Sequence, residues 1–283
     1  MRYERFSTAQ FAPALPSGAT EVTLTAYGHD DLPVLASKGH RWGVLILPGG
    51  GYGMHSPLEG EPVALSFLER GCQAFVLDYP LCPDRHPRPL LAAASALAWM
   101  RANGPQWGMD RLAVCGFSAG GHLAGSLANL WHTPLLSETL GQPHEMFRPD
   151  AAILSYPVTL AQPRQGNLTF DHLLGRDVPV EGDLASLSLE RSVSSQNPPT
   201  FLWATQSDQM VPVEHTLTYA AALQRAGVPM ELHVYPSGPH AMGLAAPESA
   251  PGRSYADPHV ATWFPLCVQW LDSLRPEREH PSN

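Results

Sequence analysis

The chain has 283 residues, of which 44% are hydrophobic, enough to bury a substantial core and too apolar for a disordered segment. Its formal net charge is −9, with 17 Lys plus Arg and no basic run, which argues against nucleic acid or an anionic membrane surface and toward a neutral small molecule as partner. No stretch approaches the roughly 18 uninterrupted apolar residues of a membrane span, and the opening MRYERFSTAQFAPALPSGA has no apolar run after its charges, so it does not read as a secretory signal.

In chain order, Val22–Tyr27 alternates like an exposed strand. Trp42–Leu47 is a short apolar run, the mark of a buried strand, and it ends in Pro48-Gly49-Gly50-Gly51, a backbone-permissive loop. Pro62–Arg70 reads as a helix closed by Gly71, Gln73–Tyr79 as a strand, and Leu90–Asn103 as a helix closed by Gly104. Arg111–Cys115 reads as a strand running into Gly116, and Gly120–Trp131 as the helix that follows. Ala151–Tyr156 is the next strand. Residues 157–197 then break the rhythm with Pro-rich and polar stretches and short helical pieces at Phe170–Leu174 and Leu187–Val193, which suggests a small cap inserted over the sheet edge. Thr200–Thr205 (strand), Glu214–Ala226 (helix), Met230–Tyr235 (strand) and a last helix over about Ala256–Leu274 complete the order. This alternation implies one α/β domain over 1–283, with a mostly parallel sheet, helices on both faces and ligands beyond the carboxyl ends of the strands. Cys72, Cys82, Cys115 and Cys267 are scattered without metal-ligand spacing, so neither metal nor disulfide framework is expected, and free thiols suit a reducing cytoplasm. No cofactor motif is present.

Gly116-Phe117-Ser118-Ala119-Gly120 sits between a strand-like LAVCG and a helix-like GGHLAGSLANLW. Gly-x-Ser-x-Gly alone arises by chance and could be a turn with a solvated serine. The strand–turn–helix setting is what a nucleophilic serine on a strained turn requires. A serine hydroxyl needs a base, and in such an arrangement the acid and then the histidine follow the serine along the chain. His240 lies in the loop after the last strand, where it can reach back over the sheet edge. His233 lies inside a strand, His122 should point away from Ser118, and His280 is in the tail. Asp208 follows the strand Thr200–Thr205 and is the expected acid, with Glu214 the nearest substitute. Gly50 or Gly51, or else Tyr52, together with Ala119, would offer backbone N–H groups to a developing oxyanion. A phosphate loop is excluded as the meaning of the glycines because no Gly-Lys-Ser/Thr follows. Tyr52, Met54, Tyr79, Tyr156, Met210 and Val211 flank these loops and are expected in the substrate pocket.

PGGGY, LDYPL, GFSAGGHLA, SDQMVPVEH and PSGPHAMGLA together resemble the bacterial acetyl-xylan-esterase-like and bidomain-feruloyl-esterase-like group in the esterase/lipase branch of the α/β-hydrolases. The resemblance runs from about Trp42 to Leu271. It implies the α/β-hydrolase fold, a Ser118–His240–Asp208 triad and short acyl esters as substrates, especially acetyl esters of sugars. Pro48 stands where many relatives carry His before the glycines, which separates the chain from hormone-sensitive-lipase-like and kynurenine-formamidase-like patterns. A peptidase or amidase, a feruloyl esterase and a non-catalytic binding protein on the same scaffold are the competing readings. Oligomeric state is left open.

Overall fold

A computed structural model describes residues 1–30, 40–161, 168–175 and 180–275. His280 and parts of the 157–197 segment lie outside the described residues.

Side-chain alternation along the strands sets the layers. In β3 (Arg41–Leu47), Val44 and Ile46 pack on one side and Leu45 and Leu47 on the other. In β5 (Met109–Phe117), Ala113, Cys115 and Phe117 join the side of Val44, while Leu112 and Val114 join the side of Leu45. Both sides are buried, so these strands read in sequence as continuous apolar runs. The other strands are β1 (Arg2–Ser7), β2 (Thr23–Gly28), β4 (Gln73–Asp78), β6 (Ala151–Ser155), β7 (Thr200–Thr205) and β8 (Met230–Tyr235). All eight form one sheet in the order β1–β2–β4–β3–β5–β6–β7–β8, antiparallel at β1–β2 and β2–β4 and parallel elsewhere.

The helices are α1 (Thr8–Phe11), α2 (Glu61–Glu69), α3 (Arg88–Trp107), α4 (Ala119–Leu130), α5 (Pro134–Leu140), α6 (Thr169–Leu174), α7 (Val180–Leu187), α8 (Glu214–Arg225) and α9 (Trp263–Ser273). Leu91 and Leu97 of α3, Leu123 of α4 and Tyr219 of α8 cover one face, and Phe67 of α2 with Trp263 and Trp270 of α9 cover the other. Among the described residues no helix is long and apolar enough to cross a membrane.

Several boundaries and elements depart from expectation. α3 does not stop at Asn103 but runs through Gly104 and Pro105 to Trp107, and Gly108 (φ 63°) closes it. The extra turn is held by tertiary packing: Trp107 is buried and meets Phe75 edge-on with ring centroids 5.2 Å apart. The last helix starts at Trp263 rather than near Ala256. Pro258 disfavours helical backbone at Asp257, whose Oδ1 instead accepts the N–H of His259 at 2.8 Å. β1 and α5 were not anticipated; β1 pairs with β2 as an edge strand whose alternate residues are exposed.

The order of strands creates the place for a site. After β3 the chain turns through α2 to β4 on one side; after β5 it goes to β6 on the other. The loops leaving the carboxyl ends of these two adjacent strands diverge and leave a crevice between them. Leu47, the last residue of β3, pairs with Gly116, so Pro48–Gly51 and Ser118 emerge side by side.

Candidate active site

Ser118 sits between β5 and α4 with φ 53° and ψ −116°, a conformation that L-residues rarely adopt. The surroundings leave no alternative. A Cβ on Gly116 would collide with the Gly120 carbonyl, and one on Gly120 with the Leu47 and Pro48 carbonyls. Ser118 N–H donates to Ser155 O at 3.0 Å, which anchors the turn to β6. Ala119 opens α4, so its N–H lacks an acceptor within the helix.

His240 Nε2 is 2.8 Å from Ser118 Oγ, and His240 Nδ1 is 2.6 Å from Asp208 Oδ2. Because the carboxylate only accepts, Nδ1 carries the proton and the Nε2 lone pair faces the serine hydroxyl. Asp208 is 4% exposed, and its Oδ1 accepts the N–H groups of Met210 at 2.8 Å and Val211 at 3.0 Å. The two loops are tied together. Ser207 Oγ accepts the Gly238 N–H at 2.9 Å, and Thr205 Oγ1 donates to the Gly238 carbonyl at 2.8 Å. Glu214, the alternative acid, is the exposed first residue of α8. His233 pairs with Glu231 along β8.

The loop after β3 is held by every carbonyl from Pro48 to Tyr52. Pro48 O accepts the Tyr79 hydroxyl at 2.6 Å. Gly49 O accepts Ser56 N–H at 2.9 Å, Gly50 O accepts Gly53 N–H at 3.0 Å, and Tyr52 O accepts Cys82 N–H at 2.8 Å. Gly51 O accepts His172 Nδ1–H at 2.8 Å. Peptide planarity then fixes the N–H directions as well. Among the described residues the N–H groups of Gly50 and Gly51 have no acceptor. Gly50 has φ 122°, and a Cβ there would strike the Met54 carbonyl.

Ser118 and His240 line a cavity of about 1010 Å³. Met54, Met210 and Val211 lie on its wall, and so do Gly50 and Gly51. Tyr52, Tyr79 and Tyr156 do not. All three are buried at 2% exposure or less, and each spends its hydroxyl on the protein: Tyr52 on His122 Nδ1 at 2.8 Å, Tyr79 on Pro48 O, Tyr156 on Glu59 Oε1 at 2.7 Å. They support the loops from behind, because flanking a site in sequence does not decide which way a side chain points. His122 is turned to Tyr52, and its Nε2–H donates to Leu187 O at 2.9 Å; burial pushes its pKa down to about 4.

Two residues were given no role from the sequence. His172 of α6 lies on the cavity wall and bonds Gly51. Glu59 is fully buried beneath the Gly49 peptide and also reaches the cavity. Neither has a local signature; the nearest hint was the placement of the 157–197 segment over the sheet edge. From that segment Leu168, Thr169 and His172 reach the cavity.

A family model described as alpha/beta hydrolase fold matches residues 44–244. The chain is 36% identical over 222 residues to endo-1,4-beta-xylanase B of Butyrivibrio fibrisolvens, covering 75% of this chain and 34% of that protein. It is 28% identical over 238 residues to an acetylxylan esterase of Xylanibacter ruminicola, covering 82% of this chain and 44% of that protein. The chain thus spans less than half the length of these curated relatives. Among solved structures, an acetyl ester-xyloside bifunctional hydrolase from Caldicellulosiruptor lactoaceticus superposes with a TM-score of 0.77 at 36% identity, covering 93% of this chain and 91% of that one.

Proposed function

The chain belongs to the α/β-hydrolase-fold family, and from that premise we propose that it is a serine esterase acting on short acyl esters, foremost acetyl esters of carbohydrates. The observation that carries the proposal is the unbroken Ser118–His240–Asp208 hydrogen-bond chain opening into a cavity beside two glycine N–H groups that have no acceptor among the described residues. Ser118 Oγ attacks the ester carbonyl while His240 Nε2 takes its proton. Asp208 stays ionised, holds the tautomer and stabilises the imidazolium. The N–H groups of Gly50 or Gly51, with that of Ala119, receive the oxyanion; one such donor is worth about 3 kcal/mol of transition-state stabilisation. His240 then protonates the departing alcohol, the C–O bond breaks, and water repeats the sequence to release the acid.

The cavity supports a neutral, hydroxyl-rich alcohol. Its described lining holds no Lys or Arg, and Thr169, Ser207, Gln209, Ser237 and Ser254 offer hydrogen-bonding groups along the wall. The acetylxylan esterase and acetyl ester-xyloside hydrolase among the similar proteins point the same way. The four unpaired cysteines suit a reducing compartment such as the cytoplasm. The test is a panel of nitrophenyl acetate, butyrate, octanoate and feruloyl esters, followed by acetylated xylo-oligosaccharides. Acetate and the acetylated oligosaccharides should be cleaved best. A preference for octanoate would reject the short-acyl assignment. A pure chain that cleaves no ester and takes no fluorophosphonate on Ser118 would end the esterase reading.

A further inference from the structure

Glu59 is a fully buried acid at the centre of the site, and the mechanism above does not use it. Its Oε2 accepts the N–H of Gly49 at 2.7 Å, the residue that begins the glycine loop. Its Oε1 accepts the hydroxyl of Tyr156 at 2.7 Å. That hydroxyl in turn accepts the N–H of Gly243, three residues past His240, at 2.9 Å. The Tyr156 ring stands edge-on to the His240 imidazole, centroids 5.1 Å apart. One carboxyl therefore joins the loop that would bind the oxyanion to the loop that carries the base. Both oxygens face donors, the pattern that favours a carboxylate. Among the described residues Glu59 takes part in no ion pair. A buried carboxylate without a cation is costly. A cation arises across the Tyr156 ring from it when His240 takes the serine proton.

We propose that Glu59 is a second carboxylate for His240: it stabilises the imidazolium formed during acyl transfer and holds the Gly49 peptide and Tyr156 in place while it does so. This rests on the esterase reading above and assigns a positioning residue to it. Burial raises the Glu59 pKa, while Tyr156, Gly49, a protonated His240 and Ser56 draw it back. The other titratable groups around the pair are accounted for. Tyr156 and Tyr79 face Glu59, as does Cys115, and burial pushes all three upward, so they stay neutral. Asp208 and His215 face His240, and burial lowers the His215 pKa to about 4. His172, Tyr255 and Asp257 stand on the wall of the same cavity. Glu59 and Asp208 are thus the buried anions able to act on the imidazolium.

The test compares Glu59→Gln and Glu59→Asp with the wild-type chain, using nitrophenyl acetate from pH 4.5 to 9. Removing the charge should lower plateau kcat about tenfold with KM within about twofold. It should also move the acid limb of kcat/KM to lower pH by about half a unit or more, because the imidazolium loses a nearby anion. The Asp variant keeps the charge, so its acid limb should stay with the wild type even though its plateau falls. A Gln variant that melts like the wild type with an unmoved acid limb overturns the proposal, and so does an Asp variant whose limb moves as far as that of Gln. Should the Gln variant not fold, the Asp variant decides. The ring signals of His240, followed by NMR over the same range, should titrate together in the wild type and in Glu59→Asp, which keeps the charge; a midpoint that moves to lower pH in the Asp variant refutes the coupling. The NMR result does not depend on turnover. A wild-type chain that cleaves no ester would instead defeat the function proposed above.

Discussion

Asp208 carries two loads at once. Its Oδ2 receives the Nδ1–H of His240, while its Oδ1 caps the turn at Met210 and Val211. In Asp208→Asn the amide oxygen can serve only one of these. If its NH2 faces Nδ1, the imidazole is driven to the tautomer with a proton on Nε2, and Ser118 loses its base. Turnover should fall by about three to four orders of magnitude, and a variant within tenfold of wild type would show that another acid supports His240. Ser118, Asp208 and His240 were legible in sequence because each stands in a local grammar: a strand before it, a loop around it and a fixed order along the chain. Tyr52, Tyr79 and Tyr156 were misread as pocket residues because nearness in sequence carries no side-chain direction. Glu59 was missed because a buried acid has no motif; its partners lie 10 and 97 positions away.

α6 and α3 show how elements rather than single residues shape the site. α6 reaches the glycine loop through the bond from His172 Nδ1–H to the Gly51 carbonyl. His172→Phe keeps a ring of similar size and removes that donor. The peptide joining Gly51 to Tyr52 then loses an anchor, and the Gly51 N–H next to it loses part of its fixed orientation, so kcat should drop about tenfold while KM moves less; steady-state kinetics in which KM alone changes would make His172 a substrate contact instead. α3 was expected to stop at Gly104, yet tertiary contact overrides a weak helix former. Trp107 anchors the added turn against Phe75 and lies under Arg2, whose guanidinium is 3.6 Å from the ring centroid. Trp107→Ala should cost about 3–5 kcal/mol in urea unfolding. A loss below 1 kcal/mol would mean that the last turn of α3 is held by something else.

Across the molecule, acid stability should be governed by histidines that are buried neutral. In the folded chain burial lowers both His122 and His215 to about 4, against an ordinary value of 6.5. The depressed folded value means that the unfolded chain takes up protons first. Stability is therefore fully present above pH 6.5 and is lost as pH falls toward 4, by about 3 kcal/mol for His122 alone. Melting temperature should decline across that window, and His122→Gln should flatten the decline; an unchanged slope would place the acid sensitivity elsewhere. By itself the sequence determined the alternation of strands and helices from β2 onward apart from α5, the parallel core and the three residues of the hydrogen-bonded chain, because periodicity, glycine stops and the Gly-x-Ser-x-Gly turn are local properties. Only the tertiary structure decided where α3 ends, which tyrosines stand behind the site, how His172 holds the Gly51 carbonyl and how Glu59 joins the Gly49 peptide to Tyr156. Those depend on contacts between segments distant in the chain, where packing and desolvation, not local preference, set the outcome.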